Sequence, residues 1–170
     1  MNDPMRILKA DHREAERVLT RLADTDEGGE REELAQQAVA MLTAHMDMEE
    51  SILYPLVAQH VGGDDEEEAQ VEHGLVRESL QKMQAMLAEP GFGATVEMIK
   101  AGMLHHAHEE EGQILPELKD AMERDEWGAL GDSLAEAKES AGMQAPEPPR
   151  RRSTRRKTKT GSDGKAAARS

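Results

Sequence analysis

The stretch AHMDMEESILYP, residues 44–55, decides the fold, and HHAHEEEGQILP, residues 105–116, repeats it. Each holds a histidine and a glutamate four apart, His45 with Glu49 and His106 with Glu110, and each ends in a proline, Pro55 or Pro116. Residues four apart on a helix project from one face on successive turns, so each stretch offers an imidazole beside a carboxylate. The prolines are expected to kink or end the helix that carries them.

Working outward, both pairs lie on apolar stripes of helical period. Ala38, Leu42, His45, Glu49, Ile52 and Leu56 share one stripe, and Val96, Ile99, Met103, His106 and Glu110 share another. Two further stripes each carry one histidine. The first runs Leu8, His12, Ala15, Leu19 and Leu22 behind Asp3-Pro4, which reads as an N-cap with proline at the first helical position. The second runs Ala69, His73, Val76, Leu80, Met83 and Leu87 and stops at Pro90-Gly91. A shorter fifth segment carries Trp127, Leu130, Leu134 and Ala137. Long helices with short links favour antiparallel neighbours. The expected fold is therefore all-α: an antiparallel up-down four-helix bundle with a short fifth C-terminal helix.

The two halves superpose in sequence at an offset of 61 residues. His12 maps to His73, His45 to His106, Glu49 to Glu110, Glu50 to Glu111 and Pro55 to Pro116, and an acid precedes each lone histidine as Asp11 or Glu72. A buried ionised glutamate is costly unless it is paired or bound to a metal. Four imidazoles and two carboxylates converging in a bundle suit iron, manganese or zinc. His12, His45, Glu49, His73, His106 and Glu110 are thus the candidate ligands. The pseudo-two-fold favours two histidines per metal, with the carboxylates shared between two metals.

At these residues the chain resembles the hemerythrin-like, HHE cation-binding family. The resemblance rests on the two stretches above, together with ADHRE at 10–14 and VEHGLVRESL at 71–80, and covers about 4–122. It implies a non-haem centre of two iron ions bridged by an oxo or hydroxo group and by Glu49 and Glu110. The oxygen-carrying hemerythrins have a further histidine one turn after the third ligand, where this chain has Arg77. That departure argues against reversible oxygen carriage.

Composition agrees with these readings. Aromatic residues are 2% of the 170, and Leu, Ala and eleven Met must fill the interior. There is no cysteine, which excludes disulfides, thiolate metal sites and cysteine nucleophiles. No signal peptide or apolar run of membrane-spanning length is visible, so a cytoplasmic location is expected. No Ser-His-Asp arrangement, phosphate loop or nucleotide fingerprint points to other chemistry.

Several polar residues near the stripes receive a plainer reading. His60, at a helix end, and His105 and His108, beside His106 but off its face, are not expected to bind metal. Asp11 and Glu72 could orient a histidine, although adjacent residues on a helix face different ways. Arg77 shares the His73 face and could reach a bound anion or pair with Glu72 or Glu16. Tyr54 and Trp127 read as packing residues, and the acidic runs 64–68 and 109–111 as mostly solvated faces.

Charge divides the chain in two. Residues 146–170 hold nine basic and two acidic residues, about +7, whereas residues 1–145 hold twelve and thirty-three, about −21. Two domains are expected, a bundle over 1–142 and a disordered Pro/Arg/Lys-rich tail over 143–170. The basic residues of 150–159 could hold nucleic acid by its phosphates, or bind an acidic partner.

Three functions are compatible with these residues. The first is binding or processing of peroxide, nitric oxide or dioxygen, with catalase-like, peroxidase-like or nitric-oxide-related turnover open. A second is an iron or redox sensor whose tail relays the metal state to a partner or nucleic acid. Iron storage ranks third, since one buried site stores little. If the tail contacts phosphates, truncation after Gln144 abolishes salt-sensitive retention on DNA. Equal retention of truncated and full-length protein would leave the tail no such role.

Overall fold

The computed structural model describes residues 2–143. The tail expected over 143–170 therefore lies, apart from Met143, outside the described residues.

All regular structure among the described residues is helical. Seven α-helices, α1 (Pro4–Ala23), α2 (Gly29–Met48), α3 (Tyr54–His60), α4 (Gly63–Ala85), α5 (Phe92–Glu109), α6 (Leu115–Ala121) and α7 (Arg124–Ser140), are joined by short links and two π turns. Pro4 opens α1 as expected. The Asp3 cap acts through its backbone carbonyl, which accepts the Arg6 and Ile7 N–H groups at 3.0 and 3.1 Å. Gly91 takes φ 93 at the turn into α5, a conformation that costs glycine little. No helix among the described residues is long and apolar enough to cross a membrane.

The two π turns, Glu49–Leu53 and Glu110–Ile114, sit at the same 61-residue offset as the ligand pairs. Neither proline ends its helix path. Proline lacks an N–H, so the carbonyls of Ser51 and Gly112 lose their i−4 donors. The ladder slips by one residue: the Tyr54 N–H donates to the Glu49 carbonyl, and the Leu115 N–H to the Glu110 carbonyl. The kink expected at Pro55 and Pro116 is thus taken up one turn earlier, and α3 and α6 continue the paths of α2 and α5.

Apolar side chains assemble into two separate clusters rather than one. Ala15, Leu19, Leu22, Leu42, Leu80 and Ile99 belong to the first. Ile7, Leu8, Leu53, Val57, Leu118, Trp127 and Leu134 belong to the second. On α1, Leu8 falls in one cluster and Ala15 in the other, with His12 between them. The histidine and glutamate side chains therefore form a polar layer dividing the core. Burying a leucine contributes roughly 1.5–3 kcal/mol. An unpaired buried charge costs about several kcal/mol, so this layer opposes folding unless its charges are matched.

α1 packs against α2, α5 and α7, and α4 packs against α3 and α5. The fit of α7 is close at Gly131, where an added Cβ would lie 2.1 Å from the Asn2 carbonyl oxygen. Asn2 also donates to Asp132 Oδ1 from its backbone N–H at 3.1 Å and its side-chain amide at 3.0 Å. Gly131→Ala forces these backbones apart and is expected to destabilise the protein by about 1–3 kcal/mol, measured by thermal or urea unfolding. Unchanged stability would mean that the N-terminus is not held against α7.

Candidate metal centre

Every residue the sequence put on the polar stripes lies inside the bundle, and all six meet. His12 comes from α1, His45 from α2, His73 from α4 and His106 from α5, while Glu49 and Glu110 open the two π turns. Glu49 and Glu110 are 0% exposed, and all four histidines are buried.

Glu49 stands between two pairs of imidazoles. Its Oε1 lies 3.0 Å from His45 Nε2 and 3.9 Å from His12 Nε2. Its Oε2 lies 3.4 Å from His73 Nε2 and 3.8 Å from His106 Nε2. Two buried triads result, His12-His45-Glu49 and Glu49-His73-His106. Glu110 adds the second carboxylate of the layer, with Oε2 3.3 Å from His12 Nε2. The ring pairs match across the layer: His12 and His45 meet edge-on at 5.0 Å between centroids, His73 and His106 at 4.7 Å.

The outward edges of the rings explain why the Nε2 atoms face inward. His12 Nδ1 lies 2.9 Å from Glu111 Oε1, His73 Nδ1 2.9 Å from Glu50 Oε1, and His106 Nδ1 2.8 Å from Glu72 Oε2. A carboxylate on Nδ1 holds the proton there and leaves the Nε2 lone pair free. His12 and His73 each take this partner from the other half of the repeat, in reciprocal exchange. His45 differs: its Nδ1 is 3.8 Å from Asp11 Oδ2, too far for a hydrogen bond.

The donor set fits a metal by its unmet valences. His12 Nε2, His45 Nε2, both oxygens of Glu49 and Glu110 Oε2 are buried without a hydrogen-bond partner in the protein. Orphaned buried polar atoms are rare, and here lone pairs of nitrogen and oxygen point at common centres.

Without metal, protons must supply the positive charge. Burial opposes a charged His12, but hydrogen bonds and attraction to Glu110 and Glu49 outweigh it and push its pKa up to about 11. His45 rises to about 9 against the same burial cost, through Glu49 and Asp11. His106 also rises to about 9, through Glu49, Glu110 and Glu72. Burial alone would raise Glu49, yet the surrounding histidines hold it well below the usual carboxylate range. In the metal-free layer the imidazolium rings thus supply the positive charge that the buried Glu49 carboxylate requires.

Some neighbours occupy places the sequence did not foresee. Tyr54, read as packing, brings its hydroxyl to 3.2 Å from His106 Nε2 and 3.4 Å from Glu110 Oε1. Burial and the Glu49 and Glu110 charges raise its pKa, so it keeps its proton. Arg77 pairs with neither Glu72 nor Glu16; its guanidinium donates to Glu50 at 2.7 and 3.1 Å and to Asp47 at 2.7 Å. It therefore steadies the carboxylate that holds His73. Asp11 and Glu72 do turn away from the histidines beside them in sequence, but each faces the next one, His45 or His106.

Glu50 and Glu111 were passed over as ligand supports, although the repeat that matched them to one another was the signal. Lys138 was missed as well. It lies four residues after Leu134 on the α7 stripe, is 2% exposed and pairs with Asp11. The remaining histidines stay outside the layer. His60 Nε2 is 3.4 Å from Glu126 Oε1, and the exposed His105 lies 3.7 Å from Glu72 and 3.5 Å from Glu109. His108 borders an open groove of about 420 Å³ beside His12, with Lys9, Arg13 and Glu111.

A helical bundle with a buried layer of convergent histidines and glutamates defines a metal-binding helical protein. The chain belongs to the hemerythrin HHE cation-binding domain family, which matches residues 3–118. It is also similar to a protein of Nostoc sp. (strain PCC 7120) named DNA nickase, 25% identical over 114 residues. That match covers 66% of this chain but only 32% of the relative, so the chain spans about a third of the relative's length.

The raised histidine pKa values set a pH dependence for the metal-free protein. Their contribution to stability is fully present below the unfolded value near 6.5 and is lost as pH rises through about 9 for His45 and His106. Differential scanning calorimetry of the metal-free protein is expected to show a melting temperature that falls from pH 7 to 9. In the metal-loaded protein, where metal replaces the protons, the fall should be much smaller. A rising melting temperature in the metal-free form would contradict these histidine environments.

Proposed function

We propose that the protein holds two iron ions, sharing Glu49, Glu110 and an oxo or hydroxo group, and uses them to bind or process a small oxidant. The bundle is taken as an antiparallel up-down arrangement of four long helical paths, with α7 added outside them. His12 and His45 would hold one ion and His73 and His106 the other. The observation that carries this reading is Glu49, whose two oxygens each face a different histidine pair. When bound, such a pair of ions supplies open coordination positions and redox capacity for peroxide, nitric oxide or dioxygen.

The chain's own groups have distinct tasks in this reading. Glu50, Glu72 and Glu111 keep the Nδ1 protons outward and the Nε2 lone pairs inward. Tyr54 holds a proton beside His106 and Glu110, available to a ligand that gains negative charge. The apolar clusters on both sides of the layer exclude water and strengthen every electrostatic interaction in it. Arg77 stands where the oxygen carriers have a further histidine, and its engagement with Glu50 favours processing of oxidants over reversible carriage.

The test is metal content by elemental analysis together with the visible spectrum. About two irons per chain are expected, with near-ultraviolet bands that change on addition of peroxide. His45→Ala and Glu110→Ala should lower bound metal, whereas His60→Ala should not. Equal retention in all three variants, or no metal after anaerobic reconstitution with ferrous iron, would sink the assignment.

The likeness to the Nostoc DNA nickase favours a second reading, in which the metal-loaded body acts on DNA and the 150–159 basic segment tethers it. Conversion of supercoiled plasmid to open circles, dependent on metal and on the tail, would support it. Intact plasmid under the same conditions excludes it.

A further inference from the structure

Two departures from the pseudo-two-fold relating the half-sites lie beside the histidine rings. On the inner edge, Tyr54 has Leu115 as its counterpart at the 61-residue offset. On the outer edge, Asp11 has Glu72 as counterpart, but their surroundings differ. Glu72 accepts from His106 Nδ1 at 2.8 Å, and among the described residues no lysine or arginine pairs with it. Asp11 is buried, and its Oδ1 is engaged by Lys138 Nζ. The other Asp11 oxygen stands 3.8 Å from His45 Nδ1, which is left without a hydrogen-bond partner.

At the Nδ1 edges of the other two rings the halves balance. His12 and His73 have carboxylate partners at the same 2.9 Å, and each carboxylate carries a cation. Lys9 lies 3.4 Å from Glu111, and Arg77 2.7 Å from Glu50. The outer-edge imbalance has two sources, the shorter side chain of Asp11 and its pairing with Lys138, which arrives from α7, beyond the 3–118 segment shared with the family. A lysine is costly to bury, and an ion pair there stabilises less than apolar packing of the same volume. The presence of Lys138 on an otherwise apolar stripe is thus poorly explained by stability.

We propose that Lys138 makes the two half-sites unequal, so that a divalent metal ion fills the His73–His106 half first and the His12–His45 half second and more weakly. The inference rests on the two-metal reading above. A carboxylate on the Nδ1 edge makes an imidazole a stronger donor at Nε2 and adds negative charge behind the metal. His106 has that support from Glu72. Lys138 weakens that support for His45, by sharing the Asp11 charge and by holding its carboxylate 3.8 Å from the ring.

The experiment is an anaerobic calorimetric titration of the metal-stripped, full-length protein with Fe²⁺. Two steps are expected, with dissociation constants about 10- to 100-fold apart, the range for loss of a partner behind a ligating histidine. His45→Ala should delete the weaker step and His106→Ala the tighter one. Lys138→Met frees Asp11 to approach His45 and should bring the steps to within about threefold, by tightening the second. Lys138→Arg keeps the charge and should keep the separation.

Should Lys138→Met fail to fold, Glu72→Gln, at a partly exposed site, tests the same imbalance by weakening the first step towards the second. A purely structural ion pair would lower the melting temperature of Lys138→Met without moving the ratio. Two equal sites in the unaltered protein, or an unchanged ratio in a folded Lys138→Met, overturns the proposal. Fewer than two bound ions in the unaltered protein overturns the two-metal reading along with it.

Discussion

Everything in this bundle answers to two carboxylates, Glu49 and Glu110, that sit with no exposure between apolar layers. A bare carboxylate there would cost more than the neighbouring leucines return. The chain meets that cost by surrounding both with imidazoles, one from each of the four long helices. Helix order, the polar break in the core and the orientation of every histidine follow from the need to bring positive charge to those two points. The outer carboxylates serve the same end, since on His12, His73 and His106 they fix which nitrogen faces the centre.

This arrangement also explains why the core comes in two parts. Apolar clusters above and below the layer supply the folding free energy, while the layer itself withdraws some of it. With cations in place, the layer would change from a burden into a cross-tie, added to the packing and the ion pairs that already join the helices. Metal affinity and fold stability are then coupled, because a site assembled only by folding contributes its binding energy to the folded state.

Much of this was legible in the sequence because polar residues on an apolar period are conspicuous. His12, His45, Glu49, His73, His106 and Glu110 each fall in phase with leucines, valines and methionines, and the 61-residue repeat ties them into two sets. The helices, and the break point at Pro90-Gly91, were equally visible. Tyr54 was hidden for a definite reason. Five residues after Glu49, it points well away from that side chain on an ordinary helix, and only the π turn brings both to the same region. Arg77 was misread because its face alone says nothing of the partner it will meet across the bundle. Asp11 and Lys138 are 127 residues apart, and no local pattern joins them. The in-phase position of Lys138 on the α7 stripe was the one available sign.

That separation has a consequence for the order in which the molecule is made. A chain emerging from its N-terminus presents Asp11 early and Lys138 only near the end of the helical body. Until α7 docks, Asp11 has no cation beside it, and the His45 edge of the centre is not yet covered. The half-site facing α7 is therefore sealed only when the C-terminal helix docks. In this protein the final helix is less a strut than a stopper.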